Sequence, residues 1–419
     1  MRLRIKGVAL ALGAALVLGL FPGCASTNAS NNKVTLLFSY WDTNQQAGMQ
    51  SIINAFEKQH PNIEINLQVT PWDSYWTKLQ ANAEGGQMPD IFWMHASNEL
   101  KFAKAGKLLE IPSNSLDWSQ YPSELVGMYT YKGKHYGVPK DFDTIGLWYN
   151  KQIFDAKGVP YPDDTWDWNK METVAKELTD PSKGIYGYLS PCDQQQGFYS
   201  FIYQNGGSVI NSGYTKSTWD QQANIDALRF AINFAQVDKS SPTTNQFAST
   251  NNIQYFTSGK GAMLELGSWN MNQLMSDANV QKFGDVAVLP KGKVRATMLN
   301  GLSYAVGADT KHPKEALEFA EFAGSKEANI LQAESGAAIP AYTAVDNVWV
   351  NHFNTKHVKS YIDMLPYAVL YPQGFDGYAA FNIVETTIAN EMYTKQISVE
   401  NGVKQLQKNM NDALAGNLQ

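Results

Sequence analysis

Hydrophobic and polar positions recur along this chain in two periods, and the switches between them mark out its elements. Val34-Thr-Leu-Leu-Phe-Ser-Tyr is an apolar run rich in β-formers. In the next segment Met49, Ile52, Ile53 and Phe56 recur at helical spacing, and His60-Pro61-Asn62 stops the helix. Ile63-Glu-Ile-Asn-Leu-Gln-Val alternates with period two, the mark of a half-buried strand. A helix from Trp72 to about Ala83, a strand over Asp90-Ile-Phe-Trp-Met-His, and a helix stopped near Gly106 follow. Strand alternating with helix predicts parallel pairing in an α/β domain.

A second α/β unit begins after the Gly-Val-Pro turn at 137–139, with a strand over Ile145 to Tyr149 and a helix in TWDWNKMETVAKEL whose N-cap is Thr165. Later come a helix from Ala223, a strand in GKGAMLELGSW, and DVAVLP with TMLNGLSYAVGA as a β pair. Two helices, HPKEALEFAEFAG and SKEANILQAESG, precede a mainly helical stretch from Val348 to Leu414, broken by the loop LYPQGFDGYAAFN. No short-period internal repeat is present.

The first residues set a compartment. Arg2, Arg4 and Lys6 precede an apolar stretch from Gly7 to Phe21, which is too short for a spanning helix and closes on Pro22-Gly23-Cys24. This is the secretory pattern. Its end resembles a bacterial lipobox, although Phe21 and Pro22 depart from the usual residues. The resemblance implies removal of residues 1–23 and lipid on the Cys24 sulfur, with polar residues 24–33 as a flexible tether on the outer face of the cell membrane.

Cys192 is the other cysteine, so with Cys24 lipidated no internal disulfide forms and stability rests on the core. The formal charge is -6, and removal of the three basic residues at the start leaves 30 basic against 39 acidic, or -9. That balance argues against nucleic acid, whose phosphates need basic patches. The 11 Trp and 21 Tyr matter more, because aromatic rings stack on flat apolar ligand faces such as that of a pyranose.

Five passages, FEKQHPNIEINLQ, GGQMPDIFWMH followed by AKAGKLLEI, YGVPKDFDTIGLWYNKQIF, GKGAMLELGSWN and HPKEALEFAEFAGSKEAN, together resemble the family 1 extracellular solute-binding proteins, the maltose-binding-like partners of ABC importers. The resemblance runs from Val34 to about Leu414. It implies a two-lobe, periplasmic-binding-protein-like α/β fold with a hinged cleft. By the family pattern the chain crosses between lobes near 141–144, 298–304 and 345. One lobe then comprises 34–143 and 300–345, the other 144–299 and 346–419. The partners implied are a sugar and the membrane subunits of an ABC permease, with a monomeric binder and neither cofactor nor metal.

Ligands collect at the carboxyl ends of strands in open α/β lobes, which directs attention to Trp41 and Asp42 after the first strand. Trp72 and Trp76 lie four apart, on one helix face. By resemblance, His95 offers a polar ligand contact, Asp143 accepts hydrogen bonds from ligand hydroxyls beside Asp141 at the first crossing, and Trp269 near Glu265 is a stacking platform. Asn300-Gly301 resembles the family's Gly-Gly at the second crossing. Tyr371 and Phe375 flank a loop that completes the cleft. Lys140 is a warning against a strictly neutral ligand, Trp93 suits either the cleft lining or the core, and Trp148, Tyr149 and Cys192 are core candidates. The rival ligand is a polyamine, since Trp with Asp also suits an ammonium. A glycosidase would need two carboxyls flanking one bond, and Asp141, Asp143 and Glu265 carry no motif for it.

Overall fold

The computed structural model describes residues 33–353, 356–375 and 377–418, with Asp73 described by its backbone only. The expected signal segment, Cys24 and all but the last residue of the expected tether lie outside them. Among the described residues, no helix is long and apolar enough to cross a membrane.

The first half begins as the pattern predicts: β1 (Val34–Tyr40), α1 (Gln46–Gln59), β2 (Ile63–Val69), α2 (Trp72–Gly85), β3 (Ile91–His95) and α3 (Ala96–Lys104). β1 pairs in parallel with β2 from Val34↔Ile63 to Tyr40↔Val69, and with β3 on its other edge. β4 (Gly137–Asp143) and β5 (Ile145–Asn150) follow, then α4 (Trp168–Leu178), α5 (Gln222–Gln236), β6 (Met263–Gly267), β7 (Gly284–Ala287) and β8 (Thr297–Val306). α6 (Pro313–Gly324), α7 (Lys326–Glu334), β9 (Ile339–Pro340), β10 (Ala368–Leu370), α8 (Tyr378–Tyr393) and α9 (Val399–Leu414) complete the elements used below.

Two sheets organise two lobes. The larger has seven strands in the order β9-β4-β8-β3-β1-β2, with β10 pairing the start of β8; the smaller is β6-β5-β7. The larger sheet is mixed, because β8 runs antiparallel to both β3 and β4. Both its faces are covered. Ile91 and Trp93 of β3 pack with α1 and α6 on one side, while Phe92 and Met94 pack with α2 and α3 on the other. In the smaller sheet Leu147 and Tyr149 face one core and Trp148 another, which also receives Phe142, Ile339 and Trp349.

Two sequence expectations are corrected. β7 and β8 do not pair with each other: β7 pairs β5 in the small sheet, and β8 enters the large one. Nor does Thr165 cap α4. Asp167 does, its carboxylate accepting from the Lys170 N–H at 2.8 Å, while Thr165 bonds back to Asp163. An aspartate one residue before the helix outcompetes a threonine three before it, because a cap side chain must reach the N–H groups at the second or third helical position.

At Thr144 the chain passes from the large sheet to the small one. Its hydroxyl donates to the Tyr361 carbonyl at 2.7 Å, and the Ile145 N–H donates to Thr297 Oγ1 at 2.9 Å. The strands β4–β5 and β8 are thus tied together where they change partners. Thr297–Leu299 pair with β10, whereas Asn300–Ala305 pair with β4.

Candidate functional site

Sheet register assembles the site. Leu302 of β8 lies opposite His95 at the end of β3, and Asn300 lies opposite Asp143 at the end of β4. Asn300 therefore sits two residues past the last residue of β3, next to the His95 ring. The pairing of β4 with β8 shifts between Leu302 and Ser303, which leaves Lys140 as the extra residue of a bulge. Its ammonium turns inward, donating to Asp141 Oδ2 at 2.5 Å and Gln45 Oε1 at 2.7 Å and lying 4.4 Å from the centre of the Trp93 ring. The charge that cautioned against a neutral ligand is thus held inside the lobe.

Two cavities adjoin these strand ends, of about 450 and 410 Å³. Trp72, His95, Gln195 and Trp269 line both, so they are two compartments of one cleft. The smaller also takes in Trp41, Asp42, Asp141 and Asp143. The larger takes in Trp76, Tyr371 and one face of α8 from Tyr378 to Ala389. Among the described residues, no lysine or arginine lines either compartment.

The aromatic wall is built from edge-to-face contacts and one tilted one, between Trp41 and Trp76. Trp41 packs against Trp72, Tyr75, Trp76 and Trp93 with ring centres 4.9–5.6 Å apart. Trp93 and Tyr75 are buried and hold this cluster to the sheet, while Trp72 is 44% exposed and free to meet a ligand. On the facing wall, Trp269 lies across Gly267: a Cβ there would stand 1.9 Å from the Trp269 ring. The ring position requires glycine at the end of β6.

The polar groups are held in a connected network. Asn300 Oδ1 accepts from the Gly301 N–H at 2.9 Å and Gln373 Nε2 at 2.7 Å, so its amide nitrogen faces His95 Nε2 at 2.6 Å. His95 Nε2 then accepts, and the shorter contacts place its proton on Nδ1, toward Ser97 Oγ at 2.7 Å, against a longer approach of the Ser97 N–H to the same nitrogen at 3.3 Å. Burial pushes His95 down to about 4, so it is neutral at ordinary pH. Asp143 accepts from Gln195 Nε2 at 2.7 Å. Burial, then the charge of Asp141, raise Asp143 well above the usual carboxylate range, opposed by hydrogen bonds from Asn300 and Gln195. Asp42 accepts from the Asn44 N–H and from Gln45, closing the turn after β1.

Of the residues singled out from sequence, the structure brings Trp41, Asp42, Trp72, Trp76, His95, Asp141, Asp143, Trp269 and Tyr371 to the cleft walls. Asn300 stands behind His95 and Gln195. Gly301 is not at the wall: its Cα packs against β4, where a Cβ would meet the Asp141 carbonyl at 2.6 Å. Glu265 is not there either. It is 2% exposed within β6, its oxygens make no hydrogen bond of ordinary geometry, and burial pushes it up to about 8. The strand-end rule failed for it because Glu265 precedes the end of β6 by two residues and points to the inner face. Phe375 is core.

Sequence reasoning missed the run Cys192-Asp-Gln-Gln-Gln, all five residues of which line the larger compartment. Cys192 therefore is not simply core. Gln196 Oε1 accepts from the Gly267 N–H at 2.9 Å and from Asn270, Gln195 reaches Asp143, and Gln194 accepts from the Tyr371 hydroxyl at 3.1 Å. Three consecutive amides with no apolar periodicity were the available signal. Among the described residues, no group of three or more His, Cys, Asp or Glu is placed to hold a metal ion.

Residues 40–330 match the model of the bacterial extracellular solute-binding proteins. The chain belongs to that family. This solute-binding protein is 24% identical over 357 residues to the putative ABC transporter periplasmic-binding protein YcjN of Escherichia coli (strain K12), covering 81% of this chain and 80% of that one. It is 25% identical over 336 residues to the galactooligosaccharide-binding protein of Bacillus subtilis (strain 168), covering 78% and 77%. Its fold superposes on the ABC substrate-binding protein Lmo0181 of Listeria monocytogenes, solved in complex with cycloalternan, with a TM-score of 0.85 at 25% identity over 91% of this chain and 99% of that one. Family and neighbours are binders rather than enzymes, which removes the glycosidase alternative.

Proposed function

We propose that this solute-binding protein captures a neutral oligosaccharide outside the cytoplasmic membrane and delivers it to the membrane subunits of an ABC importer. One observation carries the reading: the cleft sets the exposed Trp72 and the partly buried Trp41, Trp76 and Trp269 beside amide and carboxyl groups, with no lysine or arginine among the described residues that line it. Rings stack on the apolar face of a sugar while amides and carboxylates take its hydroxyls. The relatives named for galactooligosaccharide and cycloalternan agree with it.

Residues 34–143 with 300–345 form one lobe in this reading, and 144–299 with 346–419 the other, with lipid on Cys24 holding a monomer at the membrane. A sugar touching Trp72 from one side and Trp269 from the other favours the closed lobes by its differential affinity, and closure is what the permease recognises. A cationic ligand fits less well, because Asp141 is already neutralised by Lys140 and Asp143 already takes the Gln195 amide.

Titration calorimetry on the chain beginning after Cys24 tests the proposal, with neutral oligosaccharides, uronic-acid oligosaccharides and spermidine as separate ligands. Heat from the neutral series alone is expected. Binding of spermidine with no response to any neutral sugar overturns it.

A further inference from the structure

The larger compartment extends past the waist, the junction that Trp72, His95, Gln195 and Trp269 line in both compartments, and its far wall is α8, through Tyr378, Asn382 and Thr386. Each compartment alone falls in the roughly 300–1,000 Å³ range that holds drug-sized ligands, which a single hexose does not fill. The α8 wall is also chemically prepared. Asn382 Oδ1 accepts from Gln194 Nε2 at 3.0 Å and from the Tyr378 hydroxyl at 3.4 Å. With its oxygen occupied on both sides, the amide of Asn382 is oriented, and its NH2 is the group left to donate at this wall.

Gln194, the residue that orients it, is itself fixed from behind. Its Nε2 also donates to Glu385 Oε2 at 2.6 Å, and Tyr199 donates to the other oxygen of that carboxyl, which is 0% exposed. Thr386, one turn beyond Asn382, is exposed and borders the compartment without closing it. So the far compartment has a fixed donor, aromatic hydroxyls of Tyr371 and Tyr378 and, among the described residues, no carboxylate, lysine or arginine lining it other than Asp193, whose carboxylate is engaged with the Gln196 N–H at 2.7 Å.

Resting on the sugar reading above, we infer that the ligand is a neutral oligosaccharide of three or more units. One unit lies at the waist between Trp72 and Trp269, and the chain continues into the α8 compartment, where Asn382 donates to a hydroxyl of a distal unit. The α8 wall thereby selects for length.

A ladder of linear neutral oligosaccharides from disaccharide to pentasaccharide, measured by calorimetry on the chain beginning after Cys24, tests this with Thr386→Trp, which fills the far compartment from an exposed position, and Asn382→Ala, which removes the donor. The native protein should gain at least about tenfold in affinity from disaccharide to tetrasaccharide. Both variants should lose most of that gain while still melting cooperatively as folded proteins. Equal affinity at every length in the native protein, or an undiminished gain in both variants, overturns the inference while leaving the sugar reading intact. No binding of any ladder member by the native protein overturns both.

Discussion

The amide of Gln195 donates to Asp143 Oδ1 at 2.7 Å, joining the polar run 192–196 to the strand end of β4. One partner was legible from sequence and the other was not, yet neither is set without the other. Burial and Asp141 make the Asp143 carboxyl reluctant to ionise, and the Gln195 amide opposes that. Replacing Gln195 with alanine removes this hydrogen bond to a carboxyl that resists ionising, worth about 0.5–1.5 kcal/mol. Sugar affinity in Gln195→Ala should therefore fall by roughly two- to tenfold. Calorimetry that found less than a twofold change would remove Gln195 from the binding network.

Gly267 and Trp269 form a second coupled pair. With the Trp269 ring 1.9 Å from where a Cβ would stand, Gly267→Ala must move the ring, which is partly buried and packed against the second lobe's core. Overpacking of this kind costs about 1–3 kcal/mol. The variant should fold, with a lowered melting temperature, and lose sugar affinity to nearly the same extent as Trp269→Ala. Gly267→Ala with native affinity and native tryptophan fluorescence would show that the ring position does not matter.

These pairs explain how much could be read beforehand. Periodicity revealed β1, α1, β2 and β3 almost to the residue, because a half-buried strand or amphipathic helix writes its exposed face into the sequence. It could not reveal the partners of β7 and β8, since pairing depends on which sheet a strand enters. The aromatic wall was legible because Trp41, Trp72 and Trp76 follow strand ends. Glu265 was misplaced because a buried carboxyl and a ligand carboxyl look alike in sequence; only its inner position on β6 tells them apart. Gln194, Gln195 and Gln196 were overlooked because amides mark no single structure.

Glu265 also sets a pH dependence. Its folded-state value, pushed up to about 8 by burial, lies above its ordinary 4.5. Between these values the unfolded chain releases the proton and the folded protein keeps it, so stability is fully present below about 4.5 and is lost as pH rises toward 8. Glu265→Gln cannot ionise. Its melting temperature relative to the native protein should climb across that window and level off above it. A constant offset from pH 4.5 to 8 would show that Glu265 ionises in the folded protein as it does in the unfolded one.

His95 titrates with the opposite sign. Its folded-state value is lowered to about 4 from 6.5, so its contribution is present above 6.5 and lost as pH falls toward 4. The cause is burial, and the Asn300 amide reinforces neutrality because its nitrogen, at 2.6 Å, needs an acceptor. Asn300→Asp replaces that donor with a carboxylate, which favours the imidazolium. The His95 ring, followed by NMR, should titrate near or above 6.5 in the variant and stay neutral down to about 5 in the native protein. Ligand affinity, flat from pH 5 to 8 in the native protein as far as His95 is concerned, should become pH-dependent in Asn300→Asp as the ring takes up a proton and its charge. An unchanged ring titration would mean that Asn300 does not face His95 with its amide nitrogen, and the proton assigned to Nδ1 would have to move to Nε2.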